Sequence, residues 1–238
     1  MLSMRLFPRT YVYVADLNFQ SGIDYLKRIG KTENIVGYDM AGVGDDGKKL
    51  VPMMRFDRMM EKLTAASMDT TIDCIVLDSA SFIEDIIKAH ICKASVEGNI
   101  RLDGFKQWGD LVICWKSLIY QLRQSGKKLI MVAHEQKERD ESDMIYKYQI
   151  AVDGSIRAKL PVLFSDVWRC EVQENQGVHS WNIRLLGNVR QEHLKRSSAY
   201  SQFPAVMAQD TFVRQLEASA STPAVVPAQQ KQPIETTK

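Results

Sequence analysis

Apolar residues fall into two rhythms along this chain. Short unbroken runs with polar ends recur as "TYVYVADLN" from Thr10, "CIVLDS" from Cys74 and "KKLIMVAHE" from Lys127. Such runs, rich in Val, Ile and Tyr, predict strands buried on both faces, as in a parallel sheet. "NIVGYDM" predicts a further short strand. Between these runs the spacing turns helical. "SGIDYLKRIG" offers Ser21 as a cap and Gly30 as a stop. In "VPMMRFDRMMEKLTAAS", Phe56, Met59, Met60 and Leu63 share one helical face, and Pro52 suits a helix start. A Met-rich stripe of this kind reads as core. "SFIEDIIKAHIC" turns Phe82, Ile83, Ile86, Ile87 and Ile91 inward. The clearest helix keeps the 3/4 spacing through Phe105, Trp108, Leu111, Val112, Trp115, Leu118, Ile119 and Leu122, and Gly126 stops it.

The rhythm changes after the third run. "QKERDESDMIYKYQIAVDG" is charged and then alternating, which fits a mobile loop or an exposed hairpin. "SIRAKLPVLF" predicts a short helical segment ending near Pro161. "DVWRCEV" and "HSWNIRLL" alternate, with Trp168, Cys170 and Val172 on one face and Trp181, Ile183 and Leu185 on one face of the other. "QENQG" between them is a hairpin loop. The chain therefore divides into a short lead over 1–9, a core over 10–215 and a tail over 216–238. The tail is built of Ala, Pro, Ser, Thr and Gln, cannot bury a core and is expected to be disordered. Repeated strand–helix units predict an α/β fold: a mainly parallel sheet flanked by helices, with a C-terminal β-hairpin. Ligands of such sheets sit at the carboxyl ends of the strands.

Composition narrows the function classes. The 238 residues are 45% hydrophobic and 25% charged, with a net charge of only +2. No global field draws nucleic acid, so a basic site must be local. Cys74, Cys92, Cys114 and Cys170 show no C-x-x-C spacing. Three lie in apolar stretches, so buried free thiols and a reducing compartment are expected. Pro8 and Arg9 interrupt the first apolar run, which argues against a signal peptide. No run approaches the length of a membrane span, so no membrane partner is expected.

Three stretches carry candidate chemistry. "GVGDDGKK" from Gly42 nearly matches the phosphate loop G-x-x-x-x-G-K-[ST], but Lys49 replaces the magnesium hydroxyl. Asp45 and Asp46 would face the phosphates, so the stretch reads as a flexible glycine turn. Asp78 and Ser79 end an apolar strand, where a carboxylate can hold Mg²⁺ on a nucleotide. A helix-capping role accounts for the same Asp equally well. His134 and Glu135 end the neighbouring strand, where a polar group could sense a terminal phosphate. A zinc reading of His134-Glu135-x-x-Glu138 fails because the pair ends a strand instead of sharing a helix face.

"TYVYVADLNFQSGIDYLKRIG", "CIVLDSASF", "KKLIMVAHE" and "LPVLFSDVWRCEV" follow one another as in the RecA-like ATPases. The resemblance spans roughly residues 10 to 200 and is closest to the compact bacteriophage members linked to single-strand annealing and recombination. It implies ATP and Mg²⁺ as cofactors, with Asp78 acting on Mg²⁺, Ser79 supporting it and His134 or Glu135 sensing the γ-phosphate. It implies two loops facing single-stranded DNA, one with Arg101 and Lys106, the other with Lys137, Arg139, Tyr146, Lys147 and Tyr148. Such loops bind strands by phosphate contacts and stacking. Glu138, Asp140, Glu141 and Asp143 would oppose a phosphate backbone, and a solvated charged hairpin fits them equally well. Lys195 and Arg196 resemble cations offered in trans to a neighbouring subunit's nucleotide, in a homo-oligomeric ring or filament. The implied compartment is the cytoplasm of a bacterial or phage-infected cell, and the tail is a candidate for a protein partner.

Two departures qualify the resemblance. Asn18 stands where the family polarises the attacking water with a carboxylate, so hydrolysis would be slow unless Asp16 substitutes. The family's phosphate loop precedes the strand at Thr10, and the first βα unit is expected to be missing here. A non-enzymatic RecA-like module that binds DNA or protein is the competing reading, and a helicase or packaging-type motor is a further one. The DNA just upstream of the reading frame is expected to encode G-x-x-x-x-G-K-[ST]; sequencing it checks this, and unrelated sequence there would refute it.

Overall fold

The computed structural model describes residues 7–15, 27, 34–140, 145–188 and 190–220. The first apolar runs form β1 (Thr10–Val14), β2 (Ile35–Met40), β3 (Cys74–Asp78) and β4 (Lys128–Val132). All are parallel, in the order β2-β1-β3-β4. Side chains alternate across this sheet. Tyr11, Tyr13, Ile75 and Leu77 face one cluster, while Val12, Val14, Cys74 and Val76 face another that includes Phe7, Ile130 and Val132.

The first cluster is covered by α1 (Arg55–Met68), α2 (Ala80–Ile91) and α3 (Gly104–Gln124). Phe56, Met59, Leu63 and Ala66 are the buried stripe of α1, and Leu111, Trp115, Leu118, Ile119 and Leu122 that of α3. Pro52 opens a 3-10 turn that leads into α1. Gly126, at φ +71, follows the end of α3. Three expectations need correction. Phe105 fits the helical spacing but is 96% exposed, because the first turn of α3 extends past the layer it packs on. Among the described residues β4 is an edge strand, so its apolar residues are half-buried where full burial was expected. Of the cysteines only Cys74 is buried; Cys92 and Cys114 are partly exposed and Cys170 is exposed, all as free thiols. Burial pushes the Cys74 thiol up to about 12.

After β4 the charged stretch forms an antiparallel hairpin, β5 (Glu135–Asp140) and β6 (Ile145–Ile150). The chain then returns to the helical layer: Ile150, Val152, Ile156 and Leu160 join its core, the last two on and just after α4 (Ile156–Lys159). Gly154 takes φ +57 beneath Trp108, where a Cβ would lie 2.9 Å from the indole. β7 (Arg169–Asn175) and β8 (Val178–Arg184) form the expected C-terminal hairpin, with Gln176 and Gly177 at positive φ in its turn. A third strand, β9 (Val206–Ala208), and α5 (Gln209–Ala220) complete this sheet's own core of Ile183, Leu185, Phe203, Met207, Phe212 and Leu216. Trp168 stands edge-on to Phe212 at 4.9 Å. Trp181 and Val172, paired across the hairpin, are instead largely exposed, because they lie beyond the end of that core. The helix includes residues 216–220, which composition had assigned to the tail; residues 221–238 lie outside the described residues.

One buried polar cluster ties the layers together. Glu84 and Lys88, one turn apart on α2, are 2% and 8% exposed and pair at 2.9 Å. Lys88 also reaches Asp153 at 2.6 Å, and the Asp153 amide donates to both Glu84 oxygens at 2.9 and 3.1 Å. Burial raises the pKa of Glu84, with Lys88 opposing it. Burial acts to lower that of Lys88, but the Asp153 and Glu84 carboxylates together hold it above its ordinary value. The Lys88 contribution is therefore complete at neutral pH, below the unfolded lysine pKa, and is lost in alkali as pH rises through the folded one. Lys88→Met should destabilise the protein by about 3–5 kcal/mol, because it strands a buried carboxylate, and Glu84→Leu combined with Lys88→Met should recover most of the loss. Urea unfolding measures both; a single variant within about 1 kcal/mol of the parent would show that the cluster does not hold the layers.

Candidate nucleotide and nucleic-acid sites

The parallel register puts Val14, Asp78 and Val132 at one level, so three strands end together. The ends are tied: the Ala15 amide donates to the Asp78 carbonyl at 2.5 Å, and the Ala41 amide to that of Val14 at 2.8 Å. Ser79 caps α2 in an extended conformation, through a cis peptide with Asp78. Its hydroxyl is buried and has no hydrogen-bond partner among the described residues; the same holds for the Tyr13 and Ser81 hydroxyls. An orphaned hydroxyl beside a carboxylate fits a hydrated Mg²⁺, which takes one or two carboxylates and completes its shell with water and phosphate. Among the described residues no group of three or more His, Cys, Asp or Glu could hold a metal ion. Asp16 and Asn18 lie outside the described residues.

The two candidates at the end of β4 part company. The His134 ring stands edge-on to Phe82 in the first turn of α2, with 5.7 Å between centroids. Its carbonyl accepts the Ala151 amide at 2.8 Å, which pins the base of the hairpin. Glu135 instead enters a charge ladder: it pairs with Arg169 at 2.8 Å and lies 3.7 Å from His193 Nε2. Arg169 continues to Glu171 at 3.2 Å, and Glu171 to Arg184 at 3.0 Å. Burial raises the pKa of Glu135, with Arg169 opposing, and burial lowers that of His193, with Arg169 adding to the depression. Glu138 pairs with Arg157 at 2.8 Å, so both carboxylates of His134-Glu135-x-x-Glu138 are held by arginines.

"GVGDDGKK" folds as a closed turn. The Gly44 amide donates to the Lys48 carbonyl at 2.9 Å, Val43 pairs with Lys49, and Gly47 takes φ +74. Asp45 binds Arg58 and Lys62 of α1. Asp45 thus serves the adjacent helix, Asp46 takes the Lys48 amide and ammonium within the turn, and the Gly44 and Gly47 amides point at the turn's own carbonyls. A Gly30-Lys31-Thr32 triplet also occurs, but Tyr25 stands at the first glycine of the phosphate-loop pattern, and this segment is outside the described residues.

The strand-binding candidates separate into three places. Arg101 and Lys106 are exposed around the start of α3, with Phe105 beside them. On the hairpin, Lys137 lies opposite Tyr148 and Arg139 opposite Tyr146, so all four share one face. The Lys137 ammonium sits 4.0 Å above the Tyr146 ring, and the Arg169 guanidinium 4.4 Å from that of Tyr148. Lys147 points the other way and pairs with Glu192 at 3.6 Å. Arg196 donates to the Phe203 carbonyl of its own chain. The Lys195 backbone pairs with Val167, and its side chain joins Lys147 and Tyr148 in lining a cavity of about 600 Å³. Arg157, Arg190 and His193, which sequence reasoning missed, line it too. The bases of "NVRQEHLKR" mark that loop as cationic but do not say what Arg190 and His193 meet, and nothing in the sequence marks Arg157. The loop bearing Arg190 is held by its contact with β6, where the Tyr148 amide donates to the Arg190 carbonyl at 2.8 Å. It also passes so close to itself that a Cβ on Gly187 would fall 2.0 Å from the Gln191 carbonyl oxygen.

A parallel sheet whose central strand ends in a carboxylate, with the next helix starting there, makes an α/β domain of the arrangement that P-loop ATPases share with other nucleotide-binding sheets. The sequence profile described as AAA domain matches residues 14–205, and the chain belongs to that family. Among solved structures, the flagellar accessory protein FlaH from Methanocaldococcus jannaschii is similar at 12% identity, over 84% of this chain and 70% of that one, with a TM-score of 0.44. No curated protein matches the chain. Among the described residues no helix is long and apolar enough to cross a membrane.

Arg169→Met should raise the pKa of His193, since it removes a nearby cation and leaves Glu135 unopposed. NMR titration of the imidazole reads this, and an unchanged midpoint would show that the charge ladder does not reach His193.

Proposed function

We propose that this protein is an ATP-linked, RecA-like factor acting on single-stranded DNA in phage-type recombination or annealing, and that it hydrolyses ATP weakly or not at all as an isolated chain. The observation that carries the reading is one continuous stretch. β4 ends beside Asp78, His134 follows against the helix that Ser79 caps, and the next strands present Lys137, Arg139, Tyr146 and Tyr148 on one face. Cations at strand spacing suit successive phosphates, and the tyrosines opposite them on the partner strand suit stacked bases.

Asp78 would hold magnesium, with the Ser79 hydroxyl orienting a water of its shell. Bound to ATP, that ion neutralises charge at the transferred phosphoryl group. His134 would donate to a terminal phosphate oxygen, and the hydrogen bond that its carbonyl accepts from the Ala151 amide would pass the change to the hairpin. Asn18 can orient a water but cannot take its proton, which is why slow turnover is expected.

Two measurements test the reading. DNA-stimulated ATP hydrolysis by the full polypeptide should be close to background, and robust turnover abolished by Asp78→Ala would overturn the weak-hydrolysis part. Lys137→Ala with Arg139→Ala should weaken binding of oligothymidylate and flatten its salt dependence by roughly 0.7 per lost phosphate contact. An unchanged affinity and slope would remove this face from the function.

A further inference from the structure

Behind the hairpin, three segments enclose the cavity of about 600 Å³. β6 forms one wall, α4 and the turn after it a second, and the loop through Arg190 and Lys195 the third. The volume falls within the roughly 300–1,000 Å³ of small-molecule sites. Its charge is lopsided: Lys147, Arg157, Arg190 and Lys195 line it against one acid, Glu192. Lys147 is answered by Glu192 and Arg157 by Glu138. Among the described residues no acid pairs with Arg190 or Lys195, and the Lys195 ammonium reaches only the Val162 carbonyl at 3.4 Å. Between the cations lie Ile150, Ala158, Pro161 and Val162, an apolar surface in an otherwise cationic hollow.

Arg190 is exposed and Lys195 half-buried, so water solvates both, but two cations without acids of their own at one hollow raise the local positive potential and favour an anion there, and the apolar wall favours a flat or aliphatic group attached to it. We propose that this cavity binds one phosphorylated nucleotide unit, with Arg190 and Lys195 on the phosphate and the Ile150–Pro161 wall against the sugar or base. Lys195 then acts within its own chain. The site goes beyond the function proposed above, because a strand running along Lys137 and Arg139 does not require it. The nucleotide can be a free one or one residue of a single strand, and the two sources share this chemistry.

The test uses the full chain with two probes, thymidine 5′-monophosphate and a short oligothymidylate, measured by calorimetry. Arg190→Gln combined with Lys195→Gln should weaken binding of at least one probe tenfold or more. Ala158→Trp, which fills the hollow from its exposed rim, should abolish the same binding without lowering the thermal midpoint. Loss confined to oligothymidylate assigns the site to a strand. Binding of the mononucleotide alone assigns it to a free ligand and counts separately against the single-strand function. Lys137→Ala with Arg139→Ala should leave mononucleotide binding unchanged, so failure of the hairpin face and failure of the cavity are told apart. If the parent binds neither probe, or if the cavity variants bind both as the parent does, the proposal is wrong.

Discussion

Burial of β3 on both faces is the constraint from which the rest follows. Val76 and Cys74 are sealed on one side, Ile75 and Leu77 on the other, and β1 and β4 take up its hydrogen bonds. A strand so enclosed has no room for a polar side chain except at its ends. The in-register pairing then brings the ends of three strands to one level. Asp78, Ser79 and His134 are neighbours for that reason, although long stretches of sequence separate the strands that carry them.

The hairpin and the C-terminal sheet are attached to this edge by polar contacts. Asp153 enters the buried cluster on α2, Ala151 binds the His134 carbonyl, and Glu135 starts the ladder that ends at Arg184. A change at the helix that Ser79 caps therefore has a short path to the hairpin, through Glu84 and Lys88 on the same helix. Pairs of this kind add little net stability over an apolar packing of the same shape, but they tolerate fewer alternative arrangements.

Much of the first half of the fold could be read from the sequence, because its elements follow their own periodicity: the stripe through Leu111, Trp115, Leu118 and Leu122 is buried as spaced. Phe105 obeyed the same rhythm and failed, since periodicity describes a face and not how far its cover extends. β9 and α5 were missed because a three-residue strand and a helix merging into a tail of similar composition give little signal. Of the site, Asp78 and Ser79 were readable as a polar break after an apolar run. Arg157 and Arg190 were not, because nothing local marks residues that meet only after the chain has folded back across β6. The commitment of Glu135 to Arg169 was equally invisible, since the partner lies in another sheet.

The tight passage at Gly187 has a consequence for how this protein can vary. With its Cα against the Gln191 carbonyl, position 187 admits no side chain, and an inserted or deleted residue before Gln191 would shift that close approach. Arg190 is thereby set at a fixed distance from β6 by the length of the loop as much as by any bond. Drift in this lineage should therefore spare the spacing between Gly187 and Lys195 even where the residues between them change. Circular permutants or domain fusions opened within that loop should lose the geometry that neighbouring surface turns would keep.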